Sequence, residues 1–166
     1  MVVGLLLVGC LVAAYLGGVV GTGAAGGGLT WGGMVASAQE PPHGDLDPDL
    51  LSRFDQASQA ARADGIELTI TSGRRSASRQ QEILDQKTAE VGAAEARRLV
   101  APVEASAHVQ GLAVDVGPAE AAAWLRRHGW QFGLCQVYAN EPWHFEPTTE
   151  PGGTCPALVP DASVLW

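Results

Sequence analysis

The stretch SAHVQGLAVDVG, residues 106–117, sets His108 seven residues before Asp115, and EPWHFEP, residues 141–147, sets Glu141 three residues before His144. An aspartate inside an apolar run is costly to bury unless it is paired or coordinates a metal. His108 lies just upstream of it, across a turn that Gly111 permits. With His144 added, the set is His, Asp, His: three ligands with a fourth position free, the layout of a catalytic rather than a structural zinc site. Spacing alone leaves a second reading open, because a histidine between Trp143 and Phe145 is more often packed in a core than bound to a metal. In a regular strand Glu141 and His144 would face opposite ways, and Pro142 opposes a helix. A bend at Pro142 is therefore required if both are to reach one metal.

The elements that must position these residues follow from local pattern. Asp47 before Pro48 reads as an N-cap with proline in the first helical turn, and Leu50, Leu51, Phe54, Ala57 and Ala61 recur at helical spacing until Gly65. Ile66, Leu68 and Ile70 alternate with polar residues as in a strand, which delivers the loop TSGRRS with Arg74 and Arg75. Ser76 can cap a surface helix through about Glu90, and a second short helix, about 93–100, ends before Pro102. Leu112 to Val116 reads as a short strand interrupted by Asp115, and Pro118 opens a helix with Trp124 and Leu125 inward, closed by Gly129. Residues 130–138 and 143–145 read as the two strands of a hairpin. Helix, strand, helices, strand, helix and hairpin together make an α+β domain with a small antiparallel sheet flanked by helices.

Charge is distributed unevenly. The first charged residue is Glu40 and the first basic one Arg53, so all of the formal net charge of −8 lies beyond residue 39. The apolar, glycine-laced run from Val2 to about Val35, ending in Ala36-Ser37-Ala38, matches the small-x-small site of a secretory signal peptide. Residues 1–38 are thus expected to be a signal peptide or, uncleaved, a membrane anchor, since a run of about 20 apolar residues spans a bilayer. Leu7-Val8-Gly9-Cys10 also has the look of a lipoprotein box. Residues 39–47 read as a linker that includes His43, and residues 48–166 as one domain. The acidic balance argues against a nucleic-acid partner. With Cys10 in the leader, Cys135 and Cys155 form an even pair, and in an oxidising compartment such a pair is most simply a disulfide.

Three segments in order, SGRRSASRQ (72–80), SAHVQGLAVD (106–115) and EPWHF (141–145), resemble the motifs of the zinc-dependent D-alanyl-D-alanine carboxypeptidases related to the vancomycin-resistance dipeptidases and carboxypeptidases. The usual forms in that family are Ser-Gly-Tyr-Arg-Ser-x-x-x-Gln, Ser-x-His-x-x-Gly-x-Ala-x-Asp and Glu-x-Trp-His. The resemblance implies a Hedgehog/D,D-peptidase-like fold with zinc on His108, Asp115 and His144. It implies Glu141 as general base and Arg75 as a guanidinium for the substrate carboxylate or oxyanion, where a planar fork serves better than the point charge of lysine. Ser106 is expected as a local turn partner or a substrate contact, Trp143 as a wall of the pocket, and Gln80 as a support for the Arg75 loop. The implied substrate is a peptidoglycan stem peptide met outside the cytoplasm, with membrane contact only through an uncleaved leader. Carboxypeptidase action on D-Ala-D-Ala is expected first, with endopeptidase action or non-catalytic wall binding as the alternatives. The chain departs from the family at Arg74 (usually tyrosine), Ala107 (commonly glutamate) and Glu146, where a basic residue often follows the last motif. His128, Trp124, Trp130 and Phe132 are expected to be structural.

Overall fold

The computed structural model describes residues 45–166. The expected leader, Cys10, His43 and most of the expected linker lie outside the described residues. No helix among the described residues is long and apolar enough to cross a membrane.

Helix α1 (Pro48–Ala63) begins where the sequence places it: Asp47 Oδ1 accepts from the backbone N–H groups of Asp49 and Leu50, two of the donors a helix start leaves unpaired. It buries Leu50, Phe54, Ala57 and Ala61, whereas Leu51 points outward. Strand β1 (Thr69–Ser72) leads through the TSGRRS loop to α2 (Ala77–Val91) and α3 (Ala93–Leu99). Helix α2 buries only Gln80, as its sparse apolar positions suggest. Then come a one-turn helix α4 (Ala107–Gln110), strand β2 (Val114–Gly117), helix α5 (Ala119–His128), and the short strands β3 (Cys135–Gln136) and β4 (His144–Glu146).

The four strands form one antiparallel sheet in the order β1-β2-β4-β3. Side chains alternate across a strand, so Val114 and Val116 of β2 and Phe145 of β4 enter the core while Asp115 and His144 face the other way. The core face meets α1 and α5, where Leu50, Phe54, Trp124 and Leu125 pack with Ile70, Val114, Val116 and Phe145. The expected hairpin is present, with β3 paired antiparallel to β4, but its first strand is shorter than expected. Residues Gly129–Phe132 form a 3-10 turn instead of a strand, and Gly133, at φ +73°, reverses the chain before Cys135. Trp130, expected in the core, is consequently 44% exposed, whereas Trp124 is buried with its Nε1–H on Asp64 at 2.8 Å and stacks on His128. Cys135 and Cys155 are joined as expected, tying the C-terminal segment to β3.

Candidate metal centre

The register of β2 with β4 sets Asp115 directly opposite His144. Both lie on the face of the sheet away from the helical core. His108 reaches the same point from α4, whose start is fixed by the buried Ser106: its Oγ accepts from Val109 N–H at 3.4 Å. Gly111 ends this single turn at φ +76°, and a Cβ there would stand 3.1 Å from the carbonyl oxygen of Asp45. Glycine takes this left-handed turn from His108 into β2 without strain, whereas a side chain there would be strained and crowded against that carbonyl.

Three donor atoms form an almost equilateral triangle. His108 Nε2 lies 3.2 Å from His144 Nδ1 and 3.2 Å from Asp115 Oδ1, and His144 Nδ1 lies 3.3 Å from the same oxygen. Four-coordinate zinc with bonds of about 2.0–2.1 Å keeps neighbouring donors roughly 3.3 Å apart, so the triangle has the edge length of one face of a zinc tetrahedron. The other ring nitrogens point the same way chemically. His108 Nδ1 is 2.7 Å from the Gly73 carbonyl, which can only accept, so the proton sits on Nδ1 and Nε2 is free to ligate. His144 Nε2 is 2.8 Å from Glu146 Oε1, which leaves Nδ1 as its inward donor. These residues fit zinc in number, atom type and spacing.

Glu141 and His144 are brought to one site by the bend expected at Pro142. His144 N–H donates to Glu141 C=O at 3.1 Å across a tight turn, and Glu141 Oε2 comes within 3.9 Å of His144 Nδ1. Burial pushes the Glu141 carboxyl above its ordinary value; His144 and Arg75 pull it down, but Asp115 and Glu146 add to the rise.

Arg75 is held from several sides. A bulge between Ile70 and Ser72 turns Ser72 onto the face of Asp115, where its Oγ accepts from Arg75 Nε at 3.1 Å and Nη2 at 3.0 Å. Nη1 donates to Gln80 Oε1 at 3.3 Å and Nη2 to Asp115 Oδ2 at 2.8 Å. Gln80 is itself fixed by its Nε2–H on the Ala101 carbonyl at 2.9 Å. The backbone N–H of Arg75 donates to His108 C=O at 3.0 Å, tying the loop to α4.

Residues 43–148 match the family model described as VanY: D-alanyl-D-alanine carboxypeptidase. The chain belongs to this family. A D-alanyl-D-alanine carboxypeptidase of Enterococcus faecalis (strain ATCC 700802 / V583) is 36% identical over 126 residues, covering 60% of this chain and 46% of the relative. The chain thus spans about half the length of that curated relative. Among solved structures, a vancomycin resistance D,D-pentapeptidase VanY from a VanB-type resistance cassette, a mutant in complex with Zn(II), superposes with a TM-score of 0.61 at 30% identity, covering 67% of this chain and 78% of that one. VanYB in complex with D-alanine-D-alanine gives 0.59 at 30% identity, covering 65% and 75%. The VanY-like fold is the helix-flanked antiparallel sheet expected from the motifs.

In this VanY family member, the electrostatics of the centre reflect the crowding of its donors. Burial pushes the Asp115 carboxyl up, but hydrogen bonds and charge from His108 and His144 outweigh it and hold the group well below the usual range. Burial likewise opposes a charge on His144, and the Asp115 and Glu146 carboxylates overcome it, raising the imidazole to about 9. For Arg75 burial wins: its pKa is lowered despite the attraction of Asp115 and Glu141.

Of the candidates named from sequence, His108, Asp115, His144, Glu141 and Arg75 converge. Trp143 stands beside them at 46% exposure, able to present its ring outward. Ser106 is 2% exposed, and its hydroxyl accepts from Val109 N–H at the start of α4. Arg74 lies on the surface with Asp45 at 3.4 Å. Sequence reasoning missed Ser72, the Gly73 carbonyl, Tyr138 and the contact of Glu146. Tyr138 packs its ring 5.1 Å from that of His144, and burial with the nearby Glu146 and Glu141 pushes its phenol up to about 12. The advance signals for Glu146 were its departure from the family pattern and its place two residues after His144, on the same side of a strand.

Proposed function

We propose that this protein is a zinc metallopeptidase that hydrolyses peptidoglycan stem peptides, removing the terminal residue of a D-alanyl-D-alanine end as a carboxypeptidase. The observation that carries the reading is the triangle of His108 Nε2, Asp115 Oδ1 and His144 Nδ1, with edges of 3.2–3.3 Å, beside the buried carboxylate of Glu141. Zinc held by these three supplies Lewis acidity, polarising a carbonyl and bringing the pKa of a water toward roughly 7.

The chain's own residues do the rest. Glu141, kept above the ordinary carboxylate range by burial, is suited to take a proton from the attacking water and to return it to the leaving amine. Arg75, anchored by Ser72 and Gln80, holds Asp115 in place and sets a guanidinium where negative charge develops on the substrate. Trp143 offers an aromatic face to the stem peptide. Ser106 contributes indirectly, through the helix that carries His108. The apolar run of residues 1–38 fits export and work outside the cytoplasm, at the wall.

Mass analysis of pentapeptide, tetrapeptide and crosslinked muropeptides after incubation with the zinc-loaded protein tests this reading. Loss of one D-alanine from pentapeptides supports it. Products only from crosslinked dimers would make the protein an endopeptidase, and no product from any substrate would leave it a binding module.

A further inference from the structure

His144 must give one ring nitrogen to the metal and keep a proton on the other, and the structure shows where that proton goes. Nε2 lies 2.8 Å from Glu146 Oε1, and the imidazole is 4% exposed, so water does not compete freely for the bond. Strand β4 creates this pair. Residues two apart on a strand share a face, so His144 and Glu146 both stand opposite the core, while Phe145 between them is fully buried. Glu146 makes no contact with the ligand atoms of His108 or Asp115 in this arrangement; it reaches the centre through His144. The other ligand histidine is treated differently, since His108 Nδ1 donates to a neutral backbone carbonyl.

From this asymmetry we infer that Glu146 is a positioning residue of the metal centre: its carboxylate accepts Nε2–H of His144, fixes the tautomer and ring orientation that turn Nδ1 inward, and makes that nitrogen the stronger donor. A ligand histidine whose second nitrogen bonds a carboxylate is a more basic ligand, and loss of such a partner typically lowers metal affinity about 10–100-fold. The inference rests on the zinc reading above, and it concerns a residue at which this chain departs from the pattern of the motifs it resembles.

The test is zinc affinity of the full chain, measured by competition with a chromophoric chelator, for wild type, Glu146→Gln and Glu146→Ala. Glu146→Ala removes the acceptor and is expected to bind zinc about 10–100-fold more weakly. Glu146→Gln keeps a neutral acceptor oxygen and is expected to fall between the two. Proton exchange at His144 Nε2–H, read by nitrogen NMR of the zinc-loaded proteins, supplies a second readout: slow exchange with solvent in wild type and Glu146→Gln, where the proton is held in a hydrogen bond, and faster exchange in Glu146→Ala. Affinities within about twofold of wild type for both variants overturn the inference, and so does an equal loss in both, which would leave the hydrogen bond without a part. A purely structural glutamate would instead lower the melting temperature of the metal-free protein and leave zinc affinity alone. If Glu146→Ala does not fold, the comparison of wild type with Glu146→Gln decides by affinity: a weaker Glu146→Gln supports the inference and an equal one overturns it. Failure of the wild type itself to bind zinc would sink the underlying reading rather than the role of Glu146.

Discussion

Replacing Arg75 separates two jobs that one side chain can hold. If Arg75 served substrate alone, its loss would reduce turnover and leave stability untouched. The structure instead has it bonded to Ser72, Gln80 and Asp115 at 2.8–3.3 Å, so its removal should also weaken the fold. In Arg75→Lys an ammonium can keep the contact with Asp115 but cannot also span Ser72 and Gln80. Each net hydrogen bond is worth about 1 kcal/mol, and an abandoned buried acceptor costs roughly 1–3 kcal/mol. Gln80 is 1% exposed, so its Oε1 would be such an acceptor. The expected loss is about 2–4 kcal/mol. Arg75→Met goes further, because it strips one cation from a carboxylate whose side chain is 12% exposed; breaking a buried pair costs roughly 3–5 kcal/mol, and the charged His144 that remains on Oδ1 holds the loss to the low end of that range. Urea unfolding in the presence of a chelator at neutral pH is the assay, with slopes compared to ensure that midpoints report stability. Zinc should shrink the Arg75→Met effect, since the metal then balances Asp115. Midpoints for both variants within about 0.5 kcal/mol of wild type, together with lost turnover, would refute the anchoring role and return Arg75 to the substrate.

Glu141→Gln should lower kcat by roughly 10²–10⁴-fold with zinc still bound at one equivalent; near-normal release of D-alanine would remove Glu141 from the base role. Cys155→Ser opens a disulfide between residues 20 apart, and the chain-entropy model gives a loss of about 3 kcal/mol, read as a lower urea midpoint; an unchanged midpoint would contradict it. In chelator-treated protein, His144 has a folded pKa of about 9 against an ordinary 6.5. A raised folded value adds stability that is fully present below pH 6.5 and lost as pH rises through 9, so the urea midpoint should fall across that window by an amount of order 3 kcal/mol. A flat profile between those pH values would mean that His144 is not charged in the metal-free fold.

Much of the centre was legible because its residues carry their chemistry in their types. An aspartate within an apolar strand and a histidine upstream across a glycine pointed to a metal, and the resemblance of three ordered motifs to the family favoured that reading over a packed histidine. Helix α1 was legible for a related reason: the Asp47 cap and the spacing of Leu50, Phe54, Ala57 and Ala61 are local signals. The hairpin was less so. Strands of two and three residues, β3 and β4, are too short for alternation to show, and the aromatic run at 130–132 reads as strand when it is in fact a 3-10 turn.

By itself, then, the sequence pointed to the candidate ligands, the cysteine pair and the long helices through side-chain chemistry and neighbours within a few turns, and to the candidate base through the resemblance of EPWHF to the family motif. Only the tertiary structure decided the strand order β1-β2-β4-β3, the register that faces Asp115 with His144, the bulge that turns Ser72 toward Arg75, and the partner of His144 Nε2. Those depend on pairings between segments far apart in the chain, and a one-residue slip would send each of these side chains to the opposite face. The role of Glu146 belongs to this second group: in the sequence it is a departure from a motif, and in the fold it is the carboxylate on which the proton of His144 rests.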